Sequence, residues 1–288
     1  MKKIDIHLHL TLEQHPKMGN MFLSSADNML PHLEELGIEK GILMSAGEKK
    51  GTVPISTNDE CRAIAERFPN YFAWMCNLDA TDEESVYERL ALFKEQGAIG
   101  IGELMINRNM NDSFIQSIFA AAQQLDMPIL FHMSPQEGYE YGIVDEPGLP
   151  FLEENLQRYP KLKFIGHSQP FWHEITRNPG STIEERMAWG KGPVKLGGRV
   201  PYLFDTYDNL YGDLSANSGG CAIMRDEEFG LEFLKKNQKR LLFGTDMVNT
   251  EMEFPLGKWL DEKYNSGKIA TDVYENICRR NALELFNL

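Results

Sequence analysis

The chain has 288 residues, 42% of them hydrophobic and 25% charged, with a formal net charge of −14. That balance supplies material for a large core and lacks the basic stripe of a dedicated nucleic-acid surface. No apolar run reaches the roughly 18–20 residues of a membrane span. Cys61, Cys76, Cys221 and Cys278 are scattered and form no CxxC pair. Reduced thiols and a cytoplasmic location are therefore expected, with no signal peptide before the first strand.

Short apolar runs alternate with amphipathic stretches along the whole length. Strands are expected at Ile4–His9, Gly41–Ser45, Tyr71–Asn77, Ala98–Leu104, Pro128–Met133, Leu162–His167, Asn209–Leu214 and Arg240–Thr245. Helical patterns fall at Ala26–Leu36, Asn58–Arg67, Glu83–Gln96, Ser113–Leu125 and Pro150–Arg158. One or more follow within 170–190, then Glu227–Lys236 and Thr271–Phe286. Helix stops sit at Leu36-Gly37 and Gln96-Gly97. Eight such alternations without a linker predict one domain over residues 1–288, an α/β fold of the (β/α)8 TIM-barrel type. A doubly wound open sheet is the alternative. Candidate ligands on the first and last strands favour the barrel, because closure makes those strands neighbours. Segments 10–25, 46–57, 105–112, 134–149, 168–180 and 215–226 follow strand ends and form the expected mouth. Residues 191–203 (KGPVKLGGRVPYL) read as a connection with tight turns.

The most specific signal is Ile4-Asp5-Ile6-His7-Leu8-His9. In a strand, His7 and His9 project from the same side, about 7 Å apart. Other donors close later apolar runs: His132 in PILFHM, His167 in LKFIGH and Asp246 in LLFGTD. Glu103 ends AIGIGEL and faces the same mouth, where it bridges two metals or forms a structural ion pair. Imidazole and carboxylate donors suit zinc first, with manganese or iron as alternatives, and a catalytic site keeps one position open. His132 and His167 each serve as ligand or as acid/base. His15, in the first mouth loop, and His173, beside Trp172, are weaker candidates for substrate contact, and His32 is expected to be exposed on a helix. Trp172, Phe171, Tyr139, Tyr141 and Met105 are candidates for an apolar rim, packing being the competing role for each. Arg108 and Arg199 are candidates for binding an anionic substrate, a surface ion pair being the alternative for Arg199.

HxH on strand one, histidines after strands five and six, and aspartate after strand eight together resemble the amidohydrolase superfamily. GHSQPFW (166–172), LYGDLSANSG (210–219) and LLFGTD (241–246) resemble its amidohydrolase 2 branch, which includes aminocarboxymuconate-semialdehyde and resorcylate decarboxylases. The resemblance spans nearly the whole chain. It implies His7, His9, His132 and Asp246 as ligands of one divalent metal, with His167 a ligand or proton-transfer group. Glu103 departs from the decarboxylase pattern and resembles a TatD-type nuclease in its short stretch, leaving one ion or two open.

The leading expectation is hydrolysis of a small amide, lactone or ester by metal-activated water, with Asp246 taking and returning the proton and His167 polarising the carbonyl. Non-oxidative decarboxylation of an aromatic or unsaturated acid is the second reading, with Arg108 or Arg199 holding the acid. A phosphate-ester hydrolase and a non-catalytic binding barrel are weaker alternatives. A homodimer is expected only by analogy of fold.

Overall fold

The computed structural model describes residues 1–17, 22–51 and 55–288. Parts of the expected mouth loops 10–25 and 46–57, residues 18–21 and 52–54, lie outside the described residues. Among the described residues nine strands run in chain order: β1 Lys3–Leu8, β2 Ile38–Met44, β3 Phe72–Met75, β4 Ile101–Leu104, β5 Ile129–Ser134, β6 Ile143–Val144, β7 Phe164–His167, β8 Leu210–Asp213 and β9 Leu241–Leu242. All neighbouring strands pair in parallel, as β1-β2-β3 and as β4-β5-β7-β8-β9, with the two-residue β6 attached to β5.

Backbone hydrogen bonds join the two sheets at both edges. Between β3 and β4, Cys76 N–H donates to the Gly100 carbonyl (3.0 Å) and Gly102 N–H to the Cys76 carbonyl (2.8 Å). Between β1 and the β9 segment, Ile6 donates to Phe243 (3.1 Å), Asp246 to His7 (2.9 Å) and His9 to Met247 (3.1 Å). The eight long-range strands thus form a ring, and the open-sheet alternative fails. Ile4, Ile6, Ile42, Met44, Met75, Leu130, Ile165 and Leu242 form a separate buried cluster that fills its interior. Ala282 and Phe286 of the C-terminal helix belong to the same cluster and plug the end opposite the mouth. A second, larger cluster lies between strands and outer helices.

The expected helices are present with shifted ends, such as Val86–Glu95 for 83–96. Helix starts follow ordinary capping chemistry: Thr57 and Glu60 make a reciprocal capping box, and the Asp112 carboxylate caps Ser113–Leu125. Three helices fall where none was expected: Arg199–Thr206 inside the presumed tight-turn connection, Ala216–Met224 inside a presumed irregular mouth segment, and Leu256–Asn265. The predicted final helix 271–286 is broken in its middle by a π-helical turn at Asn276–Arg280. Among the described residues no helix is long and apolar enough to cross a membrane.

Asp5 fastens the ring at its last joint. Its fully buried carboxylate accepts from His7 N–H (3.0 Å), Thr245 N–H (3.0 Å) and the Thr245 hydroxyl (2.6 Å), tying β1 to the segment that carries Asp246. Burial pushes this carboxyl up to about 7, and the bonds from Thr245 and His7 only partly oppose the rise. Asp5→Ala leaves three buried donors unpaired, so urea unfolding should show a loss of roughly 2–5 kcal/mol. A loss below about 0.5 kcal/mol, within the range of an ordinary surface change, would contradict this role.

Candidate active site

The mouth is built by strand ends that closure has made adjacent. His7 and His9 leave β1 with their Nε2 atoms 3.1 Å apart. Asp246, just past β9 and held at φ 61°, brings Oδ1 within 3.4 Å of His7 Nε2 and 3.3 Å of His9 Nε2. Glu103, in β4, sets Oε2 3.6 Å from His7 Nε2 and 3.5 Å from His9 Nε2. A cation bound at about 2.0–2.2 Å by tetrahedral donors spaces them roughly 3.3–3.6 Å apart. Asp246 and Glu103 each stand at that spacing from both histidines, the two Nε2 atoms are slightly closer to each other, and His7, His9 and Asp246 form one close donor group.

The remaining oxygens of the two carboxylates face the other way. Glu103 Oε1 lies 3.6 Å and Asp246 Oδ2 3.7 Å from His167 Nε2. His7, Glu103 and His167 form a second close donor group beside His7, His9 and Asp246. Pairing of β5 with β7 aligns His132 with His167, yet His132 belongs to neither group. Its Nδ1 sits 2.7 Å from Glu103 Oε1, and its ring packs 4.6 Å from that of Tyr141. In this arrangement His132 meets the two groups through its bond to Glu103 Oε1.

Electrostatics agree with the donor chemistry. Burial opposes charge on His7, but the Asp246 and Glu103 carboxylates outweigh it and raise its pKa well above the ordinary value. His9 rises for the same reasons. Burial alone would raise Glu103, yet His132 and His7 hold it well below the carboxylate range. Among the described residues no lysine or arginine pairs with Glu103, Asp213 or Asp246. The potential that favours protons on these imidazoles equally favours a divalent cation in their place.

Two residues that sequence reasoning missed stand behind the donors. Asp213, at the end of β8, is fully buried and contacts the Nδ1 atoms of His7 (2.7 Å) and His167 (3.0 Å). The Ser215 hydroxyl donates to the same carboxylate at 2.7 Å. The available signal was positional: Asp213 closes the run NLYGDL much as Asp246 closes LLFGTD. Gly244 makes room for them, since a Cβ there would lie 2.9 Å from Asp213 Oδ1 and 3.2 Å from the His7 Cβ.

The residues expected to contact substrate have partners of their own within the chain. Trp172 is buried behind the donors, its Nε1–H donating to the Asp213 carbonyl at 2.9 Å, and Phe171 is buried beneath Gly166. Arg108 pairs with Glu83 (2.6 Å) and Asp112 (3.3 Å). Arg199 bonds Glu153 and the Gly148 carbonyl and lines a separate groove of about 960 Å³. His173 donates to the Gly180 carbonyl (3.2 Å). His15 is half-buried, and His32 is half-buried instead of exposed, its Nε2 without a hydrogen-bond partner among the described residues. Of the other rim candidates, Tyr141 packs against the His132 ring, while Met105 lines a smaller mouth groove with Asn77 and Lys49.

The amidohydrolase family profile (Amidohydro_2) matches residues 4–288. The chain belongs to the amidohydrolase family. No curated protein matches it in sequence. Among solved structures, an uncharacterised TIM-barrel protein from Bordetella bronchiseptica is 15% identical, with a TM-score of 0.63 over 100% of this chain and 99% of its own. 2,6-Dihydroxybenzoate decarboxylase from Rhizobium is 18% identical, with a TM-score of 0.60 over 99% and 98%. A probable 2-pyrone-4,6-dicarboxylic acid hydrolase from Acinetobacter baumannii is 13% identical, with a TM-score of 0.58 over 100% of both chains. Amidohydrolase-family proteins are metal-dependent enzymes, hydrolases and decarboxylases among them, and the shared fold does not separate the two. Protein loaded with Zn²⁺ or Mn²⁺ and desalted should retain about one ion per chain or more by elemental analysis, and the double change His7→Asn with His9→Asn should abolish retention. Equal retention by the double variant would contradict the site.

Proposed function

We propose that this amidohydrolase hydrolyses a small-molecule amide, lactone or ester, with zinc as its preferred ion and manganese or iron as alternatives. One observation carries the reading. Asp246 is the most open carboxylate of the cluster, its side chain 27% exposed against 4% for Glu103, and it reaches His7, His9 and His167 at once. A divalent cation held by these donors supplies Lewis-acid activation of water.

The chain's own residues do the rest. Asp246 faces solvent at the mouth and is held below the ordinary carboxylate range by His7, His9 and His167 despite burial, so it is ionised and able to accept a proton from the attacking water. The same oxygen then returns that proton to the leaving group. His132, tied to Glu103, and the Tyr141 ring frame the open side where a scissile carbonyl would lie. Asp246→Asn keeps shape and removes the base; kcat should fall at least about 100-fold with folding intact. Full turnover in a folded Asp246→Asn protein would sink this assignment.

Decarboxylation is the rival. It needs cationic groups for the acid substrate, and the two arginines expected to supply them are engaged by Glu83 and Glu153 outside the donor cluster. That weighs for hydrolysis. A panel of lactones, esters and amides assayed beside aromatic and unsaturated acids, with released CO₂ trapped, separates the readings: hydrolytic turnover without CO₂ is expected, and CO₂ release with no hydrolysis reverses the choice.

A further inference from the structure

We propose that Asp213 is a positioning residue that sets the tautomer of two ligands together, holding His7 and His167 with Nδ1–H toward itself and Nε2 lone pairs toward the cation. The inference rests on the metal-dependent reading above. A carboxylate has no proton to give, so any imidazole nitrogen bonded to it must carry the hydrogen. Asp213 Oδ2 lies 2.7 Å from His7 Nδ1 and 3.0 Å from His167 Nδ1, and His167 Nδ1 also meets the Ser215 hydroxyl at 3.1 Å; because that hydroxyl gives its hydrogen to Oδ2, it can only accept from His167, so both nitrogens are donors. With Nδ1 protonated, each neutral ring keeps its only lone pair on Nε2. Those Nε2 atoms are the ones facing Glu103 and Asp246.

Two bonds fix the carboxylate and a third fixes the backbone that carries it. Ser215 N–H donates to Oδ1 at 2.9 Å, the Ser215 hydroxyl donates to Oδ2 at 2.7 Å, and the Trp172 indole N–H holds the Asp213 carbonyl at 2.9 Å. Trp172 therefore acts through Asp213 and not on substrate. His167, whose role the sequence left between ligand and proton carrier, is assigned as a ligand, because its Nδ1–H is committed to Asp213 and the Ser215 hydroxyl that Asp213 holds. His9 has no such partner: among the described residues its buried Nδ1 makes no hydrogen bond. The orientation device is specific to the two rings that share Asp213.

The test uses the full chain, Zn²⁺ as the probe and the isosteric change Asp213→Asn, with Ser215→Ala as a second variant that leaves the carboxylate in place. Zn²⁺ affinity is measured by competition with a chromophoric chelator. Long-range ¹H–¹⁵N spectra of the zinc-loaded proteins report which ring nitrogen of each histidine carries hydrogen. Removal of an outer carboxylate from a ligating histidine typically costs 10–100-fold in metal affinity. We expect that loss in folded Asp213→Asn, together with disturbed ring signals for His7 and His167 and unchanged signals for His9. Ser215→Ala should bind Zn²⁺ more tightly than Asp213→Asn and keep the wild-type tautomers. Affinity within about twofold of wild type in a folded Asp213→Asn protein, or Nε2–H tautomers in the wild type, overturns the inference alone. A wild-type protein that takes up no Zn²⁺ overturns the metal reading with it.

Discussion

Closure of the strand ring between β1 and the segment after β9 is the constraint on which the site depends. His7 and His9 lie near one end of the chain and Asp246 near the other, and no local structure could join them. Three backbone hydrogen bonds across this joint, reinforced by Asp5 and Thr245, hold the donors in register. The interior below is packed with Ile4, Ile6, Met44, Leu130 and their neighbours, which leaves the mouth as the end where polar side chains can gather.

The second constraint is charge. Glu103, Asp213 and Asp246 approach buried imidazoles with no lysine or arginine among their described partners. Such a concentration of acceptors is costly in a low-dielectric interior unless positive charge is supplied. Protons on the histidines supply some, and a divalent ion supplies more with the added constraint of bond directions. Glu103 also works at two levels, facing His7 and His9 with one oxygen and His132 and His167 with the other. It links the donor cluster to the side of the mouth framed by Tyr141.

Several features were legible along the chain because they depend on local pattern. The HxH strand, the apolar runs ending in His132, His167 and Asp246, and the strand–helix alternation each have a period or a position that a linear reading detects. The helix Ala216–Met224 had no such period: ANSGGCAIM lacks a polar face, and Gly219 is needed where a Cβ would lie 2.5 Å from Leu214 backbone. Arg199–Thr206 was hidden behind a Gly-Gly pair that is its N-terminal boundary. Trp172, Arg108 and Arg199 sit on or beside mouth loops, and a loop's position in the sequence does not say which partners its side chains take, here Asp213, Glu83 and Glu153.

The order of residues by itself determined the class of fold, the kinds of donor and the strands that carry them, since periodicity and donor chemistry are properties of short segments. Only the tertiary structure decided which donors lie close together, that His132 bonds Glu103, that Arg108 and Arg199 pair with Glu83 and Glu153, and that Asp213 stands behind His7 and His167. Those outcomes turn on distances of 2.7–3.7 Å between side chains as many as 239 positions apart, His7 and Asp246 among them. Ring closure and side-chain packing set such distances, and no local rule of sequence encodes them.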